Sequence, residues 1–246
     1  DGEVKPYFSL ERMVQAAFDC AHRLFGIRMV RNDAIPVYHP DVVAYEVHDD
    51  ADAQGGPIGI FLHDNFARQT KRSGAWMSAL RWQGRNGAVD LPVIMNNNNF
   101  AKGAPGQPTL LSFDDARTLF HEFGHALHGL LSDVTYPLIA GTNVARDFVE
   151  LPSQLYEHWA EQPEILRAFA VHAETGKPMP EELLGRLIKA RRFNQGFATI
   201  EYTSSALVDL DLHLLPSADS IDVVAFEKAA LDRLGMPEAI VMRHRT

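Results

Sequence analysis

Residues 112–131 read SFDDARTLFHEFGHALHGLL, and the fold follows from how this stretch is read. Ser112 stands before Phe113, with Asp115 three residues further on. That spacing suits a reciprocal cap, in which the hydroxyl accepts a first-turn N–H and the acid accepts the N-cap N–H. At about 100° per residue, Leu119, Phe123, Ala126, Leu127 and Leu130 share one stripe. The spacing predicts a helix over 113–131 packed by that stripe. His121, His125 and His128 fall on the opposite side, and Glu122 lies between the two faces. A helix shaped only by burial or solubility has little reason to gather three imidazoles on one face.

His121-Glu122-Phe123-Gly124-His125 fits the H-E-x-x-H pattern. Four helical residues rise about 6 Å and turn little beyond one revolution, so both imidazoles can reach one ion. The intervening glutamate is offset toward the open side of that ion, where it can take a proton from water and pass it on. A catalytic zinc takes three protein ligands and keeps one position open. His128 lies about 10 Å from His121 in axial rise, so the third ligand is expected from another element. Asp133, Asp147, Glu150, Glu157 and His158 are the downstream candidates. Glu150 stands two residues before Pro152, which suits a first helical turn. Gln154 and Glu157 follow on the same side, placed to hold imidazole N–H groups.

Outward from this helix the hydrophobic period changes twice. Residues 8–25 carry apolar side chains at offsets of three and four, with Ser9 ahead and Gly26 behind, and predict a helix. Cys20 falls near its apolar stripe and reads as a core residue. Val43, Tyr45 and Val47, then Ile58, Ile60 and Leu62, alternate as strands. With residues 75–82 and 91–95 they predict a small antiparallel sheet of three or four strands. Asn96, Asn97, Asn98 and Asn99 read as a loop, because asparagine favours turns. Beyond Ser112 the chain reads as helical over 113–131, 151–161, 163–174, 181–214 (broken near Gly196) and 223–234. His39, His48 and His63 read as ordinary sheet histidines. Arg68, Lys71 and Arg72 are cations that could receive a peptide's terminal carboxylate.

Composition excludes several classes of function. The 246 residues carry a net charge of −9, are 46% apolar and 22% charged, and include one cysteine. Such a chain is neither disordered nor built on disulfides. Its acidity argues against a nucleic-acid surface, and no apolar run approaches a membrane span. A lone cysteine suits the reducing cytoplasm, with the periplasm as the alternative.

Several stretches in order, His121 to His128, Asp147 to Gln154, Glu157-His158-Trp159, Ala140 to Asn143, Asn65 to Arg68 and Gly74 to Met77, resemble the thimet-oligopeptidase (M3) family of zinc metallopeptidases. Within that family they are most similar to the bacterial peptidyl-dipeptidases. The resemblance implies that His121, His125 and Glu150 are the zinc ligands and Glu122 the general base. It implies that Gly74, Ala75 and Trp76 on an edge strand, and Gly141 and Thr142 in a loop, line the peptide cleft. An edge strand suits that task, since its free backbone groups hold an extended peptide of any sequence.

The expected fold is α+β, predominantly helical: a zincin-like metallopeptidase core with a small antiparallel sheet beside the H-E-x-x-H helix. Residues 36–100 would carry the sheet, and 109–246 the helical part with the zinc site. Family members are more than twice this length and carry a Gly- and Tyr-rich segment beyond the stretch present here, so the chain reads as a catalytic-core fragment. The expected function is zinc-dependent hydrolysis of short peptides with release of C-terminal dipeptides. The alternatives are an internally cleaving oligopeptidase, or a fragment that binds zinc and peptide without turnover. No nucleic-acid or membrane partner is expected, and the oligomeric state is left open.

Overall fold

The computed structural model describes residues 2–52, 54–217 and 219–239. The chain forms two compact units, Asp1–Leu184 and Gly185–Thr246. The end of the helical part expected to reach residue 246 lies outside the described residues.

The first unit holds a five-stranded sheet: β1 (Ile27–Arg31), β2 (Val42–Asp49), β3 (Gly59–Phe66), β4 (Trp76–Arg81) and β5 (Val93–Phe100). Their order is β1-β2-β3-β5-β4. Helices α1 (Leu10–Phe25), α2 (Phe113–Leu130), α3 (Leu151–Ala160) and α4 (Pro163–Phe169) complete the unit, and α5 (Glu181–Ala190) spans the boundary. In the second unit, α6 (Gln195–His213) and α7 (Val223–Arg233) pack around Val208, Ala230, Leu231 and Met236. Among the described residues no helix is long and apolar enough to cross a membrane.

The sheet differs from expectation in three respects. It has five strands, because β1 is a short segment of mixed polarity whose strand character comes from pairing with β2. It is mixed, since β3 pairs parallel with β5 while the other pairs are antiparallel. Period-two alternation marks a strand but carries no information about its partner, and here the chain runs out through β4 and returns so that β5 inserts between β3 and β4. The asparagines, finally, belong to β5. Asn96 pairs with His63 and Met77, and Asn97 with Asp64 and Trp76, so both sides of the backbone are occupied. Tertiary pairing overrides the turn preference of asparagine at these sites. Asn98 Nδ2 donates to Asn65 Oδ1 at 2.9 Å, while Asn96 is fully buried with no side-chain partner among the described residues.

The helices lie close to their predicted limits, with one exception. α4 stops at Phe169, where the chain extends into a bridge between Val171 and Pro178. The long 181–214 segment breaks near Gly196 as expected, at Asn194, which takes a left-handed conformation (φ 56°). The core of the first unit sits between the sheet and α1 and α2. Phe18, Tyr45, Phe61 and Phe123 pack there with ring centroids 5.0–6.3 Å apart. Such aromatic pairs add attraction beyond their buried area. Tyr156 of α3 is buried against Phe120 and Phe123, and its hydroxyl donates to the Ala17 carbonyl at 2.6 Å. Helices α1, α2 and α3 are thereby held to one another behind the histidine face.

Candidate metal centre

The cap of α2 forms as its sequence demands. Ser112 Oγ accepts from Asp115 N and Asp115 Oδ2 accepts from Ser112 N, each at 3.0 Å. The predicted stripe is buried, and Gly129 lies so close to Ile94 of β5 that an added Cβ would approach its Cδ1 to 2.7 Å. With one face fixed on the sheet, the opposite face presents His121 and His125 toward the start of α3.

Glu150 immediately precedes α3, and Pro152 occupies its first turn. A proline is tolerated there because the first N–H groups of a helix have no intrahelical partner. Glu150 Oε2 lies 3.3 Å from His121 Nε2 and 3.2 Å from His125 Nε2. The two imidazoles stand edge to face, with centroids 4.9 Å apart and planes at 84°. One donor atom from each residue fits within 4.8 Å, so the three form a group able to bind a metal. A tetrahedral zinc with ligands at about 2.0–2.2 Å places neighbouring donors roughly 3.3–3.6 Å apart, and the two histidine–glutamate separations, 3.3 and 3.2 Å, lie close to that.

Ser153 and Glu157 support this group from α3. The Ser153 hydroxyl, fully buried, donates to Glu150 Oε2 at 2.7 Å. Glu157 Oε1 lies 2.7 Å from His121 Nδ1, the nitrogen facing away from Glu150. Gln154 is exposed. Burial pushes the Glu150 carboxyl up, but the Ser153 hydroxyl and the two imidazoles outweigh it and hold it below the usual carboxylate range. Burial also lowers the His125 imidazole, which keeps it neutral and its lone pair available.

Glu122 projects into a drier environment. It is 6% exposed, and its Oε2 is buried without a hydrogen-bond partner among the described residues. Burial, with the Glu150 carboxylate adding to it, pushes its carboxyl up to about 7. A carboxyl that exchanges its proton near neutral pH suits acid–base work. His128 does not join the donor group. Its ring stands 6.1 Å from Phe148 and borders an apolar cavity of about 600 Å³, and burial lowers its pKa.

The remaining predicted residues lie on other segments of the chain. Trp76 opens β4, which is an edge strand; Gly74 and Ala75 lead into it, and Gly74 takes φ +84°. Gly141 is buried with φ +52°, and a Cβ there would lie 2.4 Å from the Trp82 ring; Thr142 beside it is partly exposed. Arg68 and Lys71 are committed to Asp64, through bonds of 2.6 and 2.7 Å from Arg68 and 3.0 Å from Lys71. Arg72 lies over the Trp76 ring, 5.1 Å from its centroid.

Two contributors escaped the sequence reading. Gly124 sits where a Cβ would meet Pro152 O at 2.8 Å, so only glycine lets α3 approach this closely. Its signal was present, since a glycine inside a helix costs about 1 kcal/mol against alanine and asks for a packing reason. Ser153, three residues after Glu150, had no signal beyond that offset.

A family model described as Peptidase family M3 matches residues 1–241. Dipeptidyl carboxypeptidase of Salmonella typhimurium is 42% identical over 250 residues, covering 100% of this chain and 36% of that protein. The Escherichia coli protein of the same name gives the same values. Oligopeptidase A of Escherichia coli is 36% identical over 216 residues, 87% of this chain and 31% of that protein. The chain thus spans about a third of the length of these curated relatives.

Proposed function

The chain belongs to peptidase family M3, and from that premise we propose that it supplies the zincin-like catalytic core of a zinc-dependent peptidase that releases dipeptides from the C-terminus of short peptides. The observation that carries this reading is the convergence of His121, His125 and Glu150 on one point, with Glu122 buried beside them. The similarity to dipeptidyl carboxypeptidases over the whole chain supports the exopeptidase mode.

In this reading His121 and His125 each offer Nε2, and Glu150 offers Oε2. Zinc, when bound, polarises the scissile carbonyl and acidifies water. Glu122 takes the proton from the attacking water and delivers it to the departing amine, a transfer its raised carboxyl pKa favours near neutral pH. Ser153 keeps the Glu150 carboxylate aimed and ionised. The edge strand β4, entered through Gly74 and Ala75, pairs with the backbone of an extended peptide, and Gly141 and Thr142 border the same cleft. The single cysteine is buried, with its thiol pushed up to about 12 by burial, and suits a protein of the cytoplasm.

The likeness to oligopeptidase A favours a second reading, internal cleavage of the peptide chain. The test is a zinc-loaded sample of the 246-residue chain incubated with an unblocked decapeptide, with products read by mass spectrometry and Glu122→Gln run alongside. Successive loss of C-terminal dipeptides, absent in the variant while its zinc content is retained, is the expected result. Internal cuts that persist with a C-terminally amidated peptide would replace it with the oligopeptidase reading. Intact peptide in a sample holding stoichiometric zinc would overturn hydrolysis by this chain alone.

A further inference from the structure

Arg117 lies on α2 one turn before His121 and reaches across to α3. Its Nη2 donates to Glu157 Oε2 at 2.6 Å, and its Nε lies 3.2 Å from Glu161 Oε1. Asp114, on its own helix, is more distant, 3.8 Å from Nη1. The other oxygen of Glu157 is the one that meets His121 Nδ1, at 2.7 Å. One carboxylate is therefore shared, an oxygen for the guanidinium and an oxygen for the imidazole.

The sharing has a chemical consequence. An imidazole that offers Nε2 to a metal carries its proton on Nδ1, and an acceptor at Nδ1 fixes both the tautomer and the ring plane. A carboxylate held by the imidazole alone can rotate and exchange its oxygens. A charge-assisted bond from a rigid guanidinium to the second oxygen removes that freedom. The side chains of Arg117, His121 and Glu157 are 32%, 24% and 19% exposed, so the chain of bonds sits at the rim of the site rather than in open solvent.

We propose that Arg117 is a positioning residue of the metal centre, acting through Glu157 to hold His121 with Nε2 presented to the metal. The inference rests on the reading of His121, His125 and Glu150 as the ligand set. The H-E-x-x-H pattern does not ask for a cation four residues before its first histidine, so the role belongs to this chain's own sequence. A purely structural alternative exists, in which Arg117 only ties α2 to α3, and ion pairs this exposed contribute little to stability.

Zinc affinity, measured on the 246-residue chain by competition with a chromogenic chelator, separates the two. Loss of an outer partner that bonds a ligand directly typically weakens metal binding about 10–100-fold, and Glu157→Gln is expected in that range. Arg117→Met, one bond further out, is expected to weaken zinc by about 3–10-fold, with Arg117→Lys recovering most of the loss. The double variant is expected to bind no more weakly than Glu157→Gln alone. The visible absorption of the Co²⁺-substituted protein should shift in Arg117→Met in the same sense as in Glu157→Gln, with circular dichroism unchanged. Parent-like zinc affinity in Arg117→Met, or the same further loss in the Glu157→Gln background, would overturn the proposal. His121→Ala serves as the separate control: if it still bound one zinc, the ligand assignment itself would fail, whatever Arg117 did.

Discussion

A Cβ placed on Gly124 of α2 would lie 2.7 Å from the Cα of Ser153 on α3, closer than such atoms approach in folded proteins. The helices are in backbone contact there, directly before the second histidine of α2 and next to the serine that holds Glu150. Alanine at this position gains about 1 kcal/mol of helix propensity. It also forces α3 outward, and overpacking of this kind costs about 1–3 kcal/mol. The atoms met are backbone, which cannot swing aside, so the loss should outweigh the gain. Gly124→Ala is expected to lower the melting temperature by a few degrees and, by moving Glu150 off the imidazoles, to weaken zinc about tenfold or more. Thermal melts with and without zinc check both parts, and unchanged zinc affinity would show that the close approach does not set the donor geometry.

Ser153 offers a milder test of the same support. Its hydroxyl holds Glu150 Oε2 at 2.7 Å and also bonds the Glu150 carbonyl at 3.0 Å. Ser153→Ala removes a buried bond worth about 1 kcal/mol and leaves the glutamate side chain free to turn toward solvent. Zinc affinity should fall about tenfold while the helix remains intact. Isothermal titration with Zn²⁺ reads the change directly, and no change would mean that the imidazoles alone fix Glu150.

How far the site could be read from sequence depended on whether a residue's role is local. The helix, its cap, its buried stripe and the His121/His125 pair follow from spacing along one element, and the structure carries all of them. Glu150 could be narrowed by offsets, but its meeting with the imidazoles depends on how α3 packs, which Gly124 decides from another element. The asparagines of β5 show the converse. Their local preference is for turns, and only pairing with β4 on one side and, in parallel, with the more distant β3 on the other makes them strand residues. Arg68 and Lys71 likewise looked free in sequence because nothing local shows that Asp64, four and seven residues earlier, accepts bonds from both.

Asn99 ties the entrance of the edge strand. Its Nδ2 donates to the carbonyls of Arg72 and Gly74 at 2.6 Å each, which holds the segment leading into β4. If that strand binds the peptide backbone, loosening its start should weaken substrate binding equally in the ground and transition states. Asn99→Ala is therefore expected to raise KM by about 2–10-fold, the worth of one or two hydrogen bonds, with kcat nearly unchanged and zinc affinity unaffected. Initial rates on a fluorogenic peptide decide it: a fall in kcat at constant KM would place this segment's influence on the chemistry and not on binding.

Acid should unfold the first unit through the centre of its sheet. His63 is buried on β3, and burial, aided by the nearby Lys71 and opposed by Asp64, lowers its imidazole to about 3. In the unfolded chain the same group titrates near 6.5. Between those values the unfolded state binds a proton that the folded state refuses, so stability falls as pH drops from about 6.5 toward 3. Asp64 acts in the same direction in a lower window. Burial alone would raise its carboxyl, but Arg68, Lys71 and the Tyr38 hydroxyl bring it down to about 2. Its contribution is full above the ordinary carboxylate range and is lost as pH falls from about 4 to 2. Glu122, raised to about 7 by burial, takes its proton in the folded state first and so adds stability as pH falls over the same range. The decline owed to His63 is therefore read in the Glu122→Gln background, where the urea midpoint of the metal-free chain is expected to fall between about pH 6.5 and 5. His63→Asn should flatten that decline in part, since His125 and His128 are also lowered by burial and add to it. With Glu122 replaced, a midpoint that stayed level from pH 7 to pH 5 would show that His63 gains its proton without cost, and that β3 opens to water more readily than its packing implies.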